Sequence, residues 1–312
     1  MGQGAGGGGQ EGRGQRAEGR GRREAEGGEG EIGNGRMVKL DIGRGRGGWG
    51  RMSSVSCMRS SLLPLVFLLG GMIGLFVYLR QTLPEPGAVG VAETIGYSLE
   101  NRPLICYSFG RGPRTLFIMA SIHGSEGAGT PLTEGLMSWL ETHSEVLRTC
   151  RIIIMPVANP DGLLRNQRFN LRGVDLNRNF PAGNREDRAR FGYAALSEPE
   201  SRALHDFILR VLPDVIIAIH QPLNCVDYDG PAPAAALAAR LARATGLRVD
   251  KLGARPGSLG AWFGETLDRP ILTLELPRTP RQDPDKIRAD YGRGLVDFVQ
   301  FFGAGAGVVK SR

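Results

Sequence analysis

Short apolar runs alternate with amphipathic helical segments from residue 93 onward. Apolar runs of this length are typical of strands that are buried on both faces, and their alternation with helices favours a mainly parallel sheet covered on both sides. The predicted strands are 104–109, 115–121, 152–157, 215–220 and 271–276, and the predicted helices are 129–142, 198–211, 234–244 and 285–302. We therefore predict an α/β fold with three α/β/α layers around a mixed, mainly parallel central sheet, over residues 93–303.

One predicted helix has a clear start signal in the sequence. Ser197 and Glu200 have the spacing of a capping box, and Pro199 suits the first helical turn. We expect Ser197 to cap the helix that begins near residue 198.

Residues 159–181 form the most polar internal segment, with four arginines, five asparagines and two aspartates directly after an apolar run. The spacing of these residues fits neither a helix nor a strand. A solvated basic loop is one interpretation, but it does not explain why Asn and Arg alternate after the apolar Val174 and Leu176. Fixed positive charges at this density suit a site that binds an anionic substrate or stabilises developing negative charge.

Possible metal ligands stand at the ends of two predicted strands. His123 and Glu126 lie on one tight turn after the strand at 115–121, and His220 ends the strand at 215–220. Ligands of parallel sheets bind beyond the carboxyl ends of the strands, where Asn159 and Glu275 are also expected. Two His and one carboxylate, with a fourth position open to water, form the ligand set of catalytic zinc.

Each part of this pattern is common by itself. The spacing H-x-x-E occurs in many proteins that bind no metal, and a His at a strand end is often structural. The remaining histidines, His143 and His205, are interpreted as surface or packing residues. It is the agreement between separate segments that favours a metal site.

Five motifs in order resemble the zinc carboxypeptidase family over residues 93–277: HGSE, NPDG, GVDLNRNFP, AIHQP and TLELP. Within that family the chain is similar to the murein tripeptide amidase branch, which hydrolyses the γ-D-glutamyl–diaminopimelate bond of cell-wall peptides. The features that carry this second likeness are R-x-N-x-x-G-V-D-L-N-R-N-F-P at 168–181, H-x-P-L-x-C at 220–225 and P-G-S-x-G-x-W at 256–262.

The resemblance implies one Zn²⁺ per chain, held by His123, Glu126 and His220. It makes Glu275 the general base and acid, which takes a proton from the attacking water and passes it to the leaving amine. It makes Arg168 the stabiliser of the tetrahedral oxyanion, with Arg165 and Arg172 as nearby rivals.

The resemblance also implies how the substrate is held. Asn177 and Arg178 match the pair that binds the terminal carboxylate, and Asp175 matches the carboxylate that orients the first zinc histidine. No tyrosine matches the mobile tyrosine of the digestive enzymes. We expect the loop around Ser258 and Trp262 to shape the substrate pocket instead. Asp227 and Asp229 are candidates for the distal amine of diaminopimelate, against the simpler interpretation of a polar loop.

The implied function is a zinc metallopeptidase or amidase that cleaves next to a carboxylate-bearing residue, with murein peptides as the expected substrate. One alternative is a general metallocarboxypeptidase that acts on ordinary peptides. A second is a peptide-binding module without catalysis, but such losses usually delete a ligand or the base, and all are present here.

The segment before the domain suggests membrane attachment. Residues 1–58 are rich in Gly, Arg and Glu and are expected to be a disordered tail, or the product of a wrongly chosen start at Met1 instead of Met37, Met52 or Met58. Residues 61–80 contain an uncharged apolar run that is long enough to span a bilayer, and residues 81–92 form a linker. Basic residues precede the run, which predicts a signal anchor with the catalytic domain outside the cytoplasm; a cleaved signal peptide is the alternative.

Charge and cysteine content add two limits. The chain has a net charge of +7 and a pI near 9.6, and much of the excess positive charge lies in the tail and in the polar segment 159–181. The basic pI therefore does not indicate nucleic-acid binding, and we expect no nucleic-acid partner. The four cysteines have no CxxC spacing. Buried thiols are the expected state of Cys106, Cys150 and Cys225, and one disulfide is the alternative. Residues 304–312 are expected to be flexible.

Overall fold

A computed structural model describes residues 90–278 and 283–305, which belong to one compact unit. The predicted tail (1–58), membrane segment (61–80) and most of the linker (81–92) lie outside the described residues. Within the described part of the chain, no helix has both the length and the apolar character needed to cross a bilayer.

The described residues contain an eight-stranded mixed sheet in the order β1-β2-β4-β3-β5-β8-β6-β7. Strands β4, β3, β5 and β8 are parallel neighbours, whereas β1, β2 and β6 join the sheet through antiparallel pairing. The strands are β1 (Val91–Tyr97), β2 (Pro103–Phe109), β3 (Arg114–Ala120), β4 (Cys150–Met155), β5 (Val215–His220), β6 (Leu223–Asp229), β7 (Arg248–Val249) and β8 (Ile271–Pro277). The predicted α/β fold with a mixed sheet is confirmed.

Helices cover both faces of the sheet. The α-helices are α1 (Gly129–Thr142), α2 (Pro160–Leu164), α3 (Pro199–Val211), α4 (Pro233–Thr245), α5 (Pro284–Ile287) and α6 (Arg293–Gly303). Side chains alternate across the strands, so that Leu116 and Ile118 face the core under α1, α4 and α6, while Phe117 and Met119 face the core under α3. The predicted closing helix is divided by a π-helical segment, Arg288–Gly292, between α5 and α6.

The capping prediction for α3 was wrong. Glu198 is the N-cap residue and no side chain caps the helix, although Pro199 does stand in the first turn. The Ser197 hydroxyl donates to Glu198 Oε1 over 2.9 Å, and Glu200 Oε1 accepts from the backbone N–H of Leu99 over 3.2 Å. Glu200 therefore joins α3 to the turn after β1 instead of closing a capping box.

Candidate metal centre and active site

His123 and Glu126 lie on the turn between β3 and α1, where they are buried and face each other. His123 Nδ1 is 3.0 Å from Glu126 Oε1. The turn lies directly against α2, because a Cβ on Gly124 would come within 2.0 Å of the carbonyl carbon of Gly162. Glycine at 124 thus permits the close backbone approach that places this turn beside the polar segment.

His220, the last residue of β5, completes the group. Its Nδ1 is 2.9 Å from Glu126 Oε2, and one ligand atom from each of the three residues lies within 4.8 Å of the others. His123 Nδ1 is buried and accepts or donates no hydrogen bond, although Glu126 is near. A buried ring nitrogen in this condition suits coordination to a cation. The His-Glu-His donor set therefore fits a metal ion such as Zn²⁺.

Asp175 holds the other side of the His123 ring. Its Oδ1 is 2.9 Å from His123 Nε2, which leaves Nδ1 directed towards Glu126 and His220. Arg168 donates from Nε and Nη2 to Asp175 Oδ2 over 3.2 and 3.1 Å, and from Nη1 to Glu126 Oε1 over 2.7 Å. One guanidinium thus joins the carboxylate that orients His123 to the carboxylate beside both histidines.

The pKa values of Glu126 and Asp175 are both lowered by the histidines that they contact. Burial by itself would raise the pKa of Glu126, but the contacts with His123 and His220 outweigh it and lower that pKa. The pKa of Asp175 is lowered in the same way, because its contact with His123 outweighs burial. Both carboxylates are therefore ionised at neutral pH, as a cation site requires.

Glu275 comes to the same place from the neighbouring strand. It pairs with His220 in the parallel register of β5 and β8, and it is 9% exposed. Burial raises the pKa of Glu275, and the charge of Glu126 adds to this effect while His220 opposes it. A carboxylate of raised pKa beside a metal-binding group has the proton affinity that a general base requires.

These residues line one cavity of about 420 Å³. The predicted metal ligands, Glu275, Arg168, Asn177, Arg178 and Ser258 all contribute to its wall. Arg178 is half-buried, and none of the ion pairs found in residues 90–278 and 283–305 includes it. A guanidinium in this position is always protonated and can accept an anionic group.

Asn177 lines the cavity, and its backbone and side chain form hydrogen bonds that stabilise the cavity wall. Its backbone N–H donates to Asp175 Oδ1 over 3.0 Å, and its side-chain Oδ1 accepts from the backbone N–H of Leu259 over 2.9 Å. Asn177 therefore joins the polar segment to the loop that carries Ser258. The two alternative candidates for the oxyanion-stabilising arginine do not line the cavity. Arg165 pairs with Glu100, and Arg172 pairs with Glu198.

The expectation for Trp262 needs correction. Trp262 is 3% exposed and lies in the core on a π-helical segment, Gly260–Thr266, where its ring stacks on Phe180 with centroids 5.6 Å apart. His205 packs on the same ring, with centroids 4.6 Å apart. Trp262 therefore supports the wall from behind, and of the expected pair only Ser258 lines the cavity.

The sequence analysis did not identify Gln221 and Arg255 as cavity residues. Gln221 accepts from the Ala128 N–H over 3.2 Å and donates to the Pro277 carbonyl over 2.9 Å, so it joins the β3–α1 turn to the end of β8. Arg255 lies on the loop before Ser258. The position of Gln221 directly after His220 was its only sequence signal.

Comparison with known proteins agrees with this site. Residues 82–226 match the family model described as zinc carboxypeptidase. Murein peptide amidase A of Escherichia coli K12 is 33% identical over 204 residues, which cover 59% of this chain and 81% of that protein. The crystal structure of murein-tripeptide amidase from E. coli O157 is 28% identical, with a TM-score of 0.57 over 70% of this chain and 94% of that one.

A more distant structure shares the fold. Carboxypeptidase A from Helicoverpa armigera is 22% identical, with a TM-score of 0.61 over 70% of each chain. The match to the family model and the 33% identity with murein peptide amidase A confirm the resemblance to the zinc carboxypeptidase family.

Proposed function

The chain belongs to the zinc carboxypeptidase family, and from this premise we propose that it is an amidase that hydrolyses the γ-D-glutamyl–diaminopimelate bond of murein peptides. The observation that carries the proposal is one cavity that contains the His-Glu-His group, the buried Glu275 and Arg178, which forms no ion pair with the described residues. The sequence similarity of the chain to murein peptide amidase A supports the choice of substrate.

Each residue of the site has a separate role in the proposed hydrolysis. His123, Glu126 and His220 would hold Zn²⁺, which when bound polarises the scissile carbonyl and lowers the pKa of water. Arg178 binds the carboxylate next to the scissile bond, which fixes the amide relative to Glu275. Glu275 accepts the proton of the attacking water and donates it to the leaving amine. Arg168 brings a fixed positive charge to the cavity, where it counters negative charge on the carbonyl oxygen.

The test is release of diaminopimelate from L-Ala-γ-D-Glu-meso-diaminopimelate by the full-length protein, with and without a zinc chelator. Chelator-sensitive release is the expected result. Cleavage of ordinary peptides that end in plain L-residues, without release of diaminopimelate, would instead make the protein a general metallocarboxypeptidase. Zinc binding without cleavage of either substrate would make it a peptide-binding module.

We also propose that residues 61–80 anchor the protein in a membrane with the catalytic domain outside the cytoplasm. The support is the apolar run with Arg51 and Arg59 before it and Arg80 alone directly after it. Protease added to intact cells should digest a carboxyl-terminal tag while an amino-terminal tag survives. A soluble, shortened product would support the cleaved signal peptide instead.

A further inference from the structure

Asn170 closes a turn in the polar segment with both its side chain and its backbone, and it is 2% exposed. Its Oδ1 accepts from the backbone N–H groups of Arg172 and Val174 over 3.1 Å each. The backbone N–H of Asn170 donates to the Val174 carbonyl, and its carbonyl accepts from the Gly173 N–H, both over 3.0 Å. Asn170 therefore fixes the path of the chain over residues 170–174.

The other end of the Asn170 amide is bound at the start of α3. Its Nδ2 donates to Glu198 Oε2 over 2.7 Å and to Glu200 Oε2 over 3.4 Å. Both carboxyl groups are buried, and α3 packs on the sheet, so the turn is tied to a fixed element. One end of the side chain must accept and the other must donate. An amide suits this position, whereas an ionised carboxylate of the same size would lose the donor.

The turn closed by Asn170 lies between two members of the active site. Arg168 stands two residues before Asn170, and Asp175 directly follows the turn. The Arg168 carbonyl accepts from the Gly124 N–H over 3.4 Å, at the edge of the β3–α1 turn. Asp175 has backbone support of its own, because its N–H donates to the Arg190 carbonyl over 2.7 Å. A shift of the turn would therefore displace Arg168 more than Asp175.

We propose that Asn170 is a positioning residue for the hydrolysis, which together with Glu198 holds Arg168 where its guanidinium meets the developing oxyanion. Asn170 is not among the described residues that line the cavity, so it acts through Arg168 and not on the substrate. Displacement of a catalytic group by about 1 Å can lower a rate by up to about a hundredfold. The inference rests on the proposed function, because it concerns the transition state of that reaction.

Asn170→Asp is the first variant, because its carboxylate still accepts from the turn but cannot donate to Glu198. For release of diaminopimelate from L-Ala-γ-D-Glu-meso-diaminopimelate by the full-length protein, it should lower kcat about tenfold to a hundredfold. KM should stay within about twofold of wild type, because charge on the carbonyl oxygen develops only in the transition state. The zinc content should not change, since the hydrogen bonds of Asn170 include none to the metal ligands.

The contact with Glu198 can be tested by exchange of donor and acceptor. In the Asn170→Asp background, Glu198→Gln supplies an amide that donates to the new carboxylate, so the hydrogen bond forms in the reverse direction. This double variant should recover kcat to within about threefold of wild type, since the two sites are directly coupled. Glu198→Gln alone should have little effect, because its amide oxygen still accepts from Asn170.

A double-mutant cycle with Arg168→Gln separates positioning from a general loss of stability. If Asn170 acts through Arg168, then Asn170→Asp should lower kcat by less than about twofold in the Arg168→Gln background. Ser98→Ala is the control for a lost buried hydrogen bond, because Ser98 Oγ donates to Asp161 Oδ1 over 2.9 Å away from the cavity wall. Ser98→Ala should lower Tm and leave kcat at the wild-type value.

A binding measurement gives a readout that does not depend on turnover. A phosphonate analogue of the tripeptide, with phosphorus in place of the scissile carbonyl carbon, mimics the oxyanion, whereas free diaminopimelate does not. Calorimetric titration of the zinc-loaded proteins should show about tenfold weaker binding of the analogue to Asn170→Asp than to wild type. Both proteins should bind diaminopimelate equally.

An equal loss of kcat on Asn170→Asp in the wild-type and Arg168→Gln backgrounds would overturn the positioning role and leave a structural one. Absence of rescue by Glu198→Gln would remove Glu198 from the proposal. The proposed function fails in a different way, namely when wild-type protein with zinc bound cleaves ordinary peptides but releases no diaminopimelate. The same cycle measured on those peptides then decides the positioning role, and equal losses would again overturn it. If wild-type protein cleaves neither substrate, equal affinity of both proteins for the analogue would overturn it.

Discussion

Glu275 and Glu200 are both buried carboxyl groups, yet their surroundings give them different tasks. Glu275 lines the cavity beside His220. Glu200 is 2% exposed, and it accepts from the Leu99 N–H and, over 3.4 Å, from Asn170 Nδ2. Asn170 in turn accepts from the N–H groups of Arg172 and Val174 over 3.1 Å each. Glu200 therefore supports the polar segment without contact with the reacting groups.

Glu275→Gln should lower kcat by about a hundredfold to ten-thousandfold, because glutamine cannot accept the proton of the attacking water. The zinc content should stay unchanged, since Glu275 is not among the grouped metal ligands. Steady-state kinetics and metal analysis of the purified protein measure both quantities. Glu265→Gln, at an exposed position of the π-helical segment, is the control. Substantial activity in Glu275→Gln would remove Glu275 from the mechanism.

Glu200→Gln should change how stability depends on pH. Burial raises the pKa of Glu200, so the native state binds the proton more tightly than the unfolded state. Wild-type stability therefore falls as pH rises from the ordinary glutamate pKa through the raised one, by about 1.4 kcal/mol for each pH unit that separates the two pKa values. The stability of Glu200→Gln relative to wild type should thus be greater at about pH 7 than at about pH 4.

Urea unfolding at the two pH values measures this difference. The exposed Glu134→Gln is the control for loss of one charge without burial. A relative stability that does not change with pH would show that Glu200 ionises in the native state as it does in the unfolded chain.

At the level of elements, the metal group depends on how closely two turns approach. The β3–α1 turn carries His123 and Glu126, and it packs on α2 through Gly124 and Gly162. Gln221 then joins this turn to β8, and its backbone N–H donates to Glu126 Oε2 over 3.3 Å. The ligands are thus positioned by backbone packing as well as by their own contacts.

Gly124→Ala should destabilise the fold by about 1–3 kcal/mol and weaken zinc binding, because the added methyl group overlaps the backbone of α2. Gly183→Ala is the matched control, since a Cβ at Gly183 meets nothing within 4 Å. Denaturant unfolding and competition for zinc with a chromogenic chelator measure the two effects. Equal zinc affinity in both variants would mean that the turn can shift without moving its ligands.

At the level of the whole molecule, the metal site connects distant parts of the chain. Glu126 and His220 are 94 residues apart in sequence; Glu126 lies on the turn after β3, and His220 ends β5. A ligand that binds only the folded state stabilises it in proportion to the logarithm of its excess over Kd. Zinc should therefore contribute to global stability as well as to catalysis.

Removal of zinc by a chelator should lower Tm, and added zinc should restore it. At a free zinc concentration about a thousandfold above Kd, the expected stabilisation is about 4 kcal/mol. Differential scanning fluorimetry of the apo and zinc-loaded protein measures the shift. The Tm of His220→Ala should rise little when zinc is added, because one metal ligand is missing. A Tm that is the same for apo and zinc-loaded wild-type protein would contradict a site formed only in the folded state.

Much of this site could be predicted from the sequence, because its main residues follow local rules. Apolar runs marked β3, β4, β5 and β8 to within a few residues, and polar residues at their ends marked the edge where ligands bind. His123, His220 and Glu275 converge there because parallel strands bring their carboxyl ends to one side of the sheet. Motif order then distinguished them from His143 and His205.

What the sequence alone determined is therefore the set of groups at the strand ends, since strand direction and side-chain chemistry are local properties. Tertiary structure decided which other residues share their cavity. Asp227 was expected in a polar loop but lies on β6, because β6 pairs with β8 across more than 40 residues of chain. Trp262 lies in the core, where its ring packs between Phe180 and His205, which are distant from it in sequence. Both outcomes depend on contacts between distant segments, which no local pattern contains.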